Sequence, residues 1–173
     1  ARELGIPLAD PNDLDHIDLT IDGADEFDPK LRLIKGGGAA LLREKIIADA
    51  SDRMVVIADA SKEVAQLGRF PLPIEVNPFA AELTRRRIHV ELVSLGLADA
   101  TSAWRLATGE SRLHTDGGHL ILDLSCGVIP APDDLAHALD QLPGVVEHGL
   151  FIGLADAVIV GESDGARIIR RQS

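Results

Sequence analysis

Tyrosine is absent from this chain, tryptophan and methionine occur once each, and aromatic residues make up only 3% of it. Any core must therefore be aliphatic, built from Leu, Ile, Val and Ala, and a hydrophobic content of 46% is enough to build one. Cys126 is the only cysteine, which excludes an internal disulfide and fits a reducing compartment, so the cytoplasm is the expected location. No apolar run reaches membrane-spanning length and no basic-then-apolar stretch opens the chain, so neither a membrane nor a secretion signal is expected. Positive charge is scarce as well. A formal net charge of −11 argues against nucleic acid or an anionic membrane surface as a partner. The histidines (16, 89, 114, 119, 137 and 148) lack zinc-ligand spacing, and no metal is expected.

With 173 residues the chain can form one full domain or two small ones. A short helical lead, Ala1–Leu4, is broken at Gly5. From His16 to Asp22 the residues alternate, with Ile17, Leu19 and Ile21 expected to form the buried face of a strand. Leu31–Ile34 is a short apolar run, Ala39–Ala50 reads as a helix, and Met54–Ala58 as a strand, followed by Asp59–Lys62 and a brief helix. The pattern changes at Pro71–Pro73. Beyond it come a strand (Ile74–Val76), a helix (Ala80–Leu95) and a strand (Ser102–Ala107), then a hairpin at Asp116–Gly118 and a strand (His119–Ser125). A helix (Pro132–Leu142) and a strand (Val145–Phe151) complete a β-α-β-β-α-β order, the ferredoxin-like plan. Apolar strands at Ala157–Val160 and Ala166–Ile169 return to the earlier style. The expected architecture is an open, Rossmann-like α/β core over residues 1–73 and 152–173, interrupted by an α+β insert over 74–151.

The residues between Asp22 and Lys62 carry the chemistry. Asp22 and Asp25 flank Gly23 and Ala24 at the carboxyl end of the first strand, where open α/β sheets place their ligands. Two carboxylates held close cannot both ionise easily, so one could serve as an acid; a turn that satisfies its own backbone is the plainer account. Gly36, Gly37 and Gly38 precede a helix, so their N–H groups could face an anion, or they could simply allow a tight connection. The spacing matches neither a Walker A loop nor a dinucleotide fingerprint. Glu44 has Ala40, Leu41, Ile47 and Ala48 as helical neighbours, the setting of a desolvated general base, although pairing of nearby charges on that helix explains it equally. Lys35 and Lys62 lie where an anion or an oxyanion could be met, or they are solvated surface lysines. These residue types suggest acid–base chemistry on a small phosphorylated or carboxylated molecule, with a non-catalytic sugar-phosphate-binding module or an inactive fragment as the rival readings.

Taken in order, several strings resemble the A-type ribose-5-phosphate isomerase family. They are Asp22–Glu26, Ile34–Leu41, Arg43–Ile46, Ile57–Lys62, Gly68–Val76, Thr115–Gly118, Leu142–Val145 and His148–Phe151. The resemblance covers nearly all of the chain. It implies interconversion of ribose 5-phosphate and ribulose 5-phosphate through an enediol, without metal or organic cofactor, in a homo-oligomer (dimer or tetramer). It also implies that Glu44 is the proton-carrying base and that Asp22 and Asp25 handle protons at the sugar oxygens. Lys35 would stabilise developing negative charge, Lys62 would help hold the phosphate, and Gly23, Ala24, Gly36 and Gly37 would contact substrate. The family pattern includes an upstream phosphate-binding loop and first core elements. The chain would enter that pattern part of the way along, with an incomplete core as the expectation.

Overall fold

The structure, a computed structural model, describes residues 2–171. Of the expected helical lead, Arg2–Leu4 forms a single 3-10 turn, while Ala1 lies outside the described residues. Strands β1 (Thr20–Asp22), β2 (Glu26–Phe27) and β3 (Leu33–Ile34) lead into helix α1 (Leu41–Asp49) and strand β4 (Met54–Asp59). Then follow β5 (Leu72–Val76), α2 (Ala81–Ser94), β6 (Thr101–Trp104), β7 (Leu120–Ser125), α3 (Pro132–Asp140) and β8 (Val145–His148). Strands β9 (Leu150–Phe151), β10 (Ala155–Glu162) and β11 (Gly165–Arg170) complete the described fold. No helix among the described residues is long and apolar enough to cross a membrane.

Strands β1, β4 and β10 run parallel, with β11 antiparallel at the edge, in the order β1-β4-β10-β11. This is the expected open α/β sheet. The middle of the chain forms an antiparallel sheet of order β6-β7-β5-β8, in which the first and third strands of the β-α-β-β-α-β unit are the central pair. Ile74, Val76, Leu122 and Leu124 bury one face of that sheet against Ile88 and Leu92 of α2 and Leu135 and Leu139 of α3. A second, separate core gathers Phe27, Leu33, Met54, Val56, Phe151, Val158 and Val160. The buried residues of the first core are all aliphatic, whereas the second is built around Phe27 and Phe151. Trp104 stays at the rim of the antiparallel sheet, donating Nε1–H to Glu82 at 2.7 Å and facing the Arg112 guanidinium at 4.7 Å.

Two expectations are corrected. The strand around residue 20 has the opposite face buried: Thr20 is 8% exposed, whereas Leu19 and Ile21 are 39% and 60% exposed. Alternation reports which residues share a face, not which face meets a helix. Here Thr20 lies opposite Met54 in the parallel ladder, and its hydroxyl meets Ser51 Oγ at 2.6 Å below α1. Buried by its hydrogen bonds, a threonine takes the place expected of isoleucine.

The predicted single strand Val145–Phe151 is two strands in two sheets. β8 pairs with β5, β9 pairs with β3, and Gly149 is the crossing point. Its N–H donates to Pro73 O at 2.8 Å and its carbonyl accepts Lys35 N–H at 2.9 Å. A Cβ on residue 149 would lie 2.2 Å from Lys35 O and 2.8 Å from Pro73 Cδ. Only glycine permits this approach. Gly149→Ala is expected to destabilise the protein by about 1–3 kcal/mol, since the clash is with backbone and cannot be relieved by a rotamer change. Urea unfolding checks this; an unchanged midpoint would mean that the crossing has slack.

Candidate active site

β1 ends at Asp22, and the chain turns at once through Gly23. Asp22 Oδ1 accepts the Gly23 N–H at 2.7 Å, which aims the other carboxylate oxygen inward. That oxygen, Oδ2, lies 2.9 Å from Lys35 Nζ. The lysine follows β3 directly, and its side chain is only 4% exposed. Its ammonium donates to Gly23 O at 2.6 Å and lies 3.2 Å from Glu44 Oε2. The ring of Phe151 sits 5.4 Å beneath it. A buried ammonium demands such a shell of partners. Lys35 is therefore no surface lysine; it is the centre of the cluster.

Glu44 comes from the first turn of α1. Leu41 and Ala48, its neighbours along that face, are buried, so the expected apolar setting is present. Its Oε2 is shut off from solvent and touches the Lys35 ammonium, yet no donor is aligned on it for a hydrogen bond. An under-satisfied buried carboxylate oxygen is rare in folded proteins and calls for an explanation.

Asp22 and Asp25 each have a partner of their own within the cleft. Asp25 Oδ2 accepts the Gly37 N–H at 2.8 Å, and its backbone N–H donates to Ile34 O at 2.8 Å. The glycine turn is accordingly not an open row of donors, because one N–H already holds a carboxylate of the protein. Gly36 adopts φ +105, a conformation that favours glycine, and a Cβ on Gly37 would press on the Asp25 carboxylate, 2.7 Å from Oδ1.

Asp22, Gly23, Ala24, Asp25, Lys35, Gly36, Gly37 and Glu44 all line one open cleft of roughly 210 Å³, joined by Gly38. Lys62 does not line it. It ends a 3-10 turn, Ala60–Lys62, at the carboxyl end of β4, which is the sheet edge shared with Asp22 on the neighbouring parallel strand. Sequence reasoning missed three contributors. Arg105 and Asp123 come from the antiparallel sheet and offer no local motif; Phe151 was taken only as part of a strand. Gly149 did leave a signal, since a glycine inside a strand pattern marks a close approach of backbones.

A larger cavity of roughly 350 Å³ lies on the other side of α1, lined in part by Lys45, Asp140, Glu147 and His148. Asp140, Glu147 and His148 offer three donor atoms within 4.8 Å of one another. The histidine tautomer speaks against a metal there. His148 Nδ1 accepts the Leu150 N–H at 3.2 Å, so in the neutral ring Nε2 carries the proton and has no lone pair for a cation. That Nε2 lies 3.1 Å from Asp140 Oδ1, close but poorly aligned as a hydrogen bond. Lys45 fills the charge role instead, 2.5 Å from Glu147 Oε1 and donating to His148 O at 2.7 Å. Burial lowers the Lys45 pKa, with Glu147 opposing the shift. Burial, then the Lys45 charge, push the His148 imidazole down to about 3.

A family model described as ribose 5-phosphate isomerase A (phosphoriboisomerase A) matches residues 1–165. The ribose-5-phosphate isomerase A of Bradyrhizobium diazoefficiens is 53% identical over 175 residues, covering 99% of this chain and 73% of the relative. The chain belongs to the ribose-5-phosphate isomerase A family. Among solved structures, a D-ribose-5-phosphate isomerase in complex with phospho-erythronic acid is 39% identical, with a TM-score of 0.88 over 98% of this chain and 72% of that one. The ribose 5-phosphate isomerase of Plasmodium falciparum is 33% identical, with a TM-score of 0.90 over 99% of this chain and 73% of that one. The protein is thus an aldose–ketose isomerase that interconverts ribose 5-phosphate and ribulose 5-phosphate. The rival reading as a non-catalytic binding module falls away.

In this isomerase the buried His148 also sets an acid limit on stability. Its folded pKa of about 3 lies below the ordinary 6.5, so between those values the unfolded chain binds a proton that the folded chain does not. Stability therefore falls as pH drops through that window. Urea unfolding at about pH 7 and about pH 5 is expected to show this loss, and His148→Gln is expected to make it smaller. Equal losses in both proteins would remove His148 as the cause.

Proposed function

We propose that Glu44 is the base that carries the proton between the two reacting carbons of the sugar phosphate. The observation that supports this most directly is its buried oxygen, in contact with an ammonium but without an aligned hydrogen bond. The carboxylate takes the proton from C2 of the open-chain aldose, leaving an enediolate, and returns it to C1 to give the ketose. A base for this step must be partly desolvated and within reach, and the first turn of α1 supplies both conditions.

Lys35 is the electrophile. Charge develops on the carbonyl oxygen as the proton leaves C2, and a preorganised ammonium stabilises it most where water is scarce. Asp22 and Asp25 move the hydroxyl protons, including those of ring opening. Their separate partners fit separate tasks: Asp22 is held by the lysine, Asp25 by the glycine turn. Lys62, at the same sheet edge but outside the cleft wall, takes the phosphate end. The related enzyme solved with phospho-erythronic acid fits this division, because a phosphorylated sugar acid presents two oxygens at one end, as an enediolate does, and a phosphate at the other.

Glu44→Gln keeps the shape of the side chain and removes the base. It is expected to lower kcat for ribose 5-phosphate by about 10²- to 10⁴-fold while leaving KM nearly unchanged. Lys62→Ala is expected to raise KM with little change in kcat. Steady-state kinetics on the two variants check both. A Glu44→Gln enzyme with the parent kcat would refute the assignment of the base.

A further inference from the structure

The glycine turn is held from behind by a residue of the antiparallel sheet. Arg105 follows β6, its backbone tied by N–H donation to Ile121 O at 2.8 Å and by acceptance from Leu113 N–H at 2.9 Å. Its guanidinium is only 16% exposed. One edge of the fork grips Asp123 of β7: Nε donates to Oδ2 at 2.8 Å and Nη2 to Oδ1. The other edge reaches across to the turn, where Nη1 donates to Gly36 O at 2.7 Å and Gly37 O at 3.0 Å. Four acceptors on two separate sheet systems are thus served by one planar cation. A lysine, with a single ammonium on a flexible stem, cannot reproduce that geometry.

The two carbonyls belong to the peptide units whose N–H groups are those of Gly37 and Gly38, both at the cleft wall. A cation on a peptide oxygen polarises the whole unit and strengthens its N–H as a donor. Gly37 N–H is the group that holds Asp25 at 2.8 Å. Asp25, Gly37 and Arg105 therefore form a chain, with substrate at one end and the antiparallel sheet at the other. We propose that Arg105, anchored by Asp123, is a positioning residue of the isomerase: it fixes and polarises the glycine turn and, through Gly37, orients Asp25. The proposal rests on the reading of Asp25 as a group that handles substrate protons.

Kinetics on the full chain test it, with four proteins: parent, Arg105→Ala, Asp25→Asn and the double variant. Arg105→Ala is expected to lower kcat by about 10- to 100-fold, with a smaller change in KM, because a misplaced catalytic group costs turnover more than affinity. Added guanidine hydrochloride at low millimolar concentration is expected to restore part of that loss, and Arg105→Lys to restore less than the free cation does. In the Asp25→Asn background the arginine change is expected to cost little more, since both act along one chain. If Arg105→Ala does not fold, Asp123→Asn loosens the same fork and must show a loss of kcat with the same non-additivity. Parent kcat in the arginine variant, or full losses that simply add, would overturn the clamp. An Asp25→Asn enzyme as fast as the parent would overturn the reading of Asp25 instead, and is told apart by that single variant.

Discussion

One buried ammonium organises this molecule's chemistry. Lys35 Nζ touches the Asp22 carboxylate, the Gly23 carbonyl and the Glu44 carboxylate, which arrive from the end of β1, the turn beyond it and the first turn of α1. Taking a charge out of water is costly unless partners surround it, so these segments are fixed relative to one another by the demands of a single group. The lysine's own N–H is fixed by Gly149, at the point where the chain passes from one sheet to another. The same ion lets two carboxylates share a small cleft. A hydrophobic residue in its place would leave both facing each other without a counter-charge.

Around that centre the antiparallel sheet also meets the rest of the fold through directed polar contacts. One face of the sheet is packed with aliphatic side chains against its two helices. The other carries Pro73, Glu75 and Asp123, and each answers to something on the core side or at its margin. Buried Glu75 accepts from Thr115 Oγ1 at 2.7 Å and lies 2.9 Å from His119 Nδ1, bracing the hairpin that meets the start of α1. Asp123 holds Arg105. From the core, fully buried Glu26 accepts the N–H groups of Gly68 at 2.8 Å and Phe70 at 2.6 Å, just before the chain enters β5. Hydrogen bonds have direction, whereas apolar packing tolerates sliding. A joint made this way sets an orientation as well as a contact.

The element order was legible because its signals are local. Helices lacked internal breakers, the hairpin carried Asp116, Gly117 and Gly118, and the β-α-β-β-α-β order emerged from those pieces alone. Most of the cleft was legible too, since Asp22 to Glu44 fall within one stretch of chain. What escaped was everything set by a partner distant in sequence. Ile17, Leu19 and Ile21 alternate correctly, but the side of the sheet they face depends on the position of α1, and Thr20 faces it instead. The Val145–Phe151 run looked continuous, because a crossing between sheets depends on Pro73 and Lys35 lying on either side of Gly149. Arg105 has no motif around it; its role exists only once β6 is placed behind the glycine turn.

The scarcity of aromatic side chains has an optical consequence. Trp104 is the chain's only strong near-ultraviolet emitter, since tyrosine is absent. It lies on the rim of the antiparallel sheet, stacked under Arg112 and bonded to Glu82, one residue before Arg105. Intrinsic fluorescence from this protein therefore looks at the outer edge of that sheet and not into the sugar cleft. A change in its emission would report movement at the root of the arginine fork, in a spectrum free of any other indole.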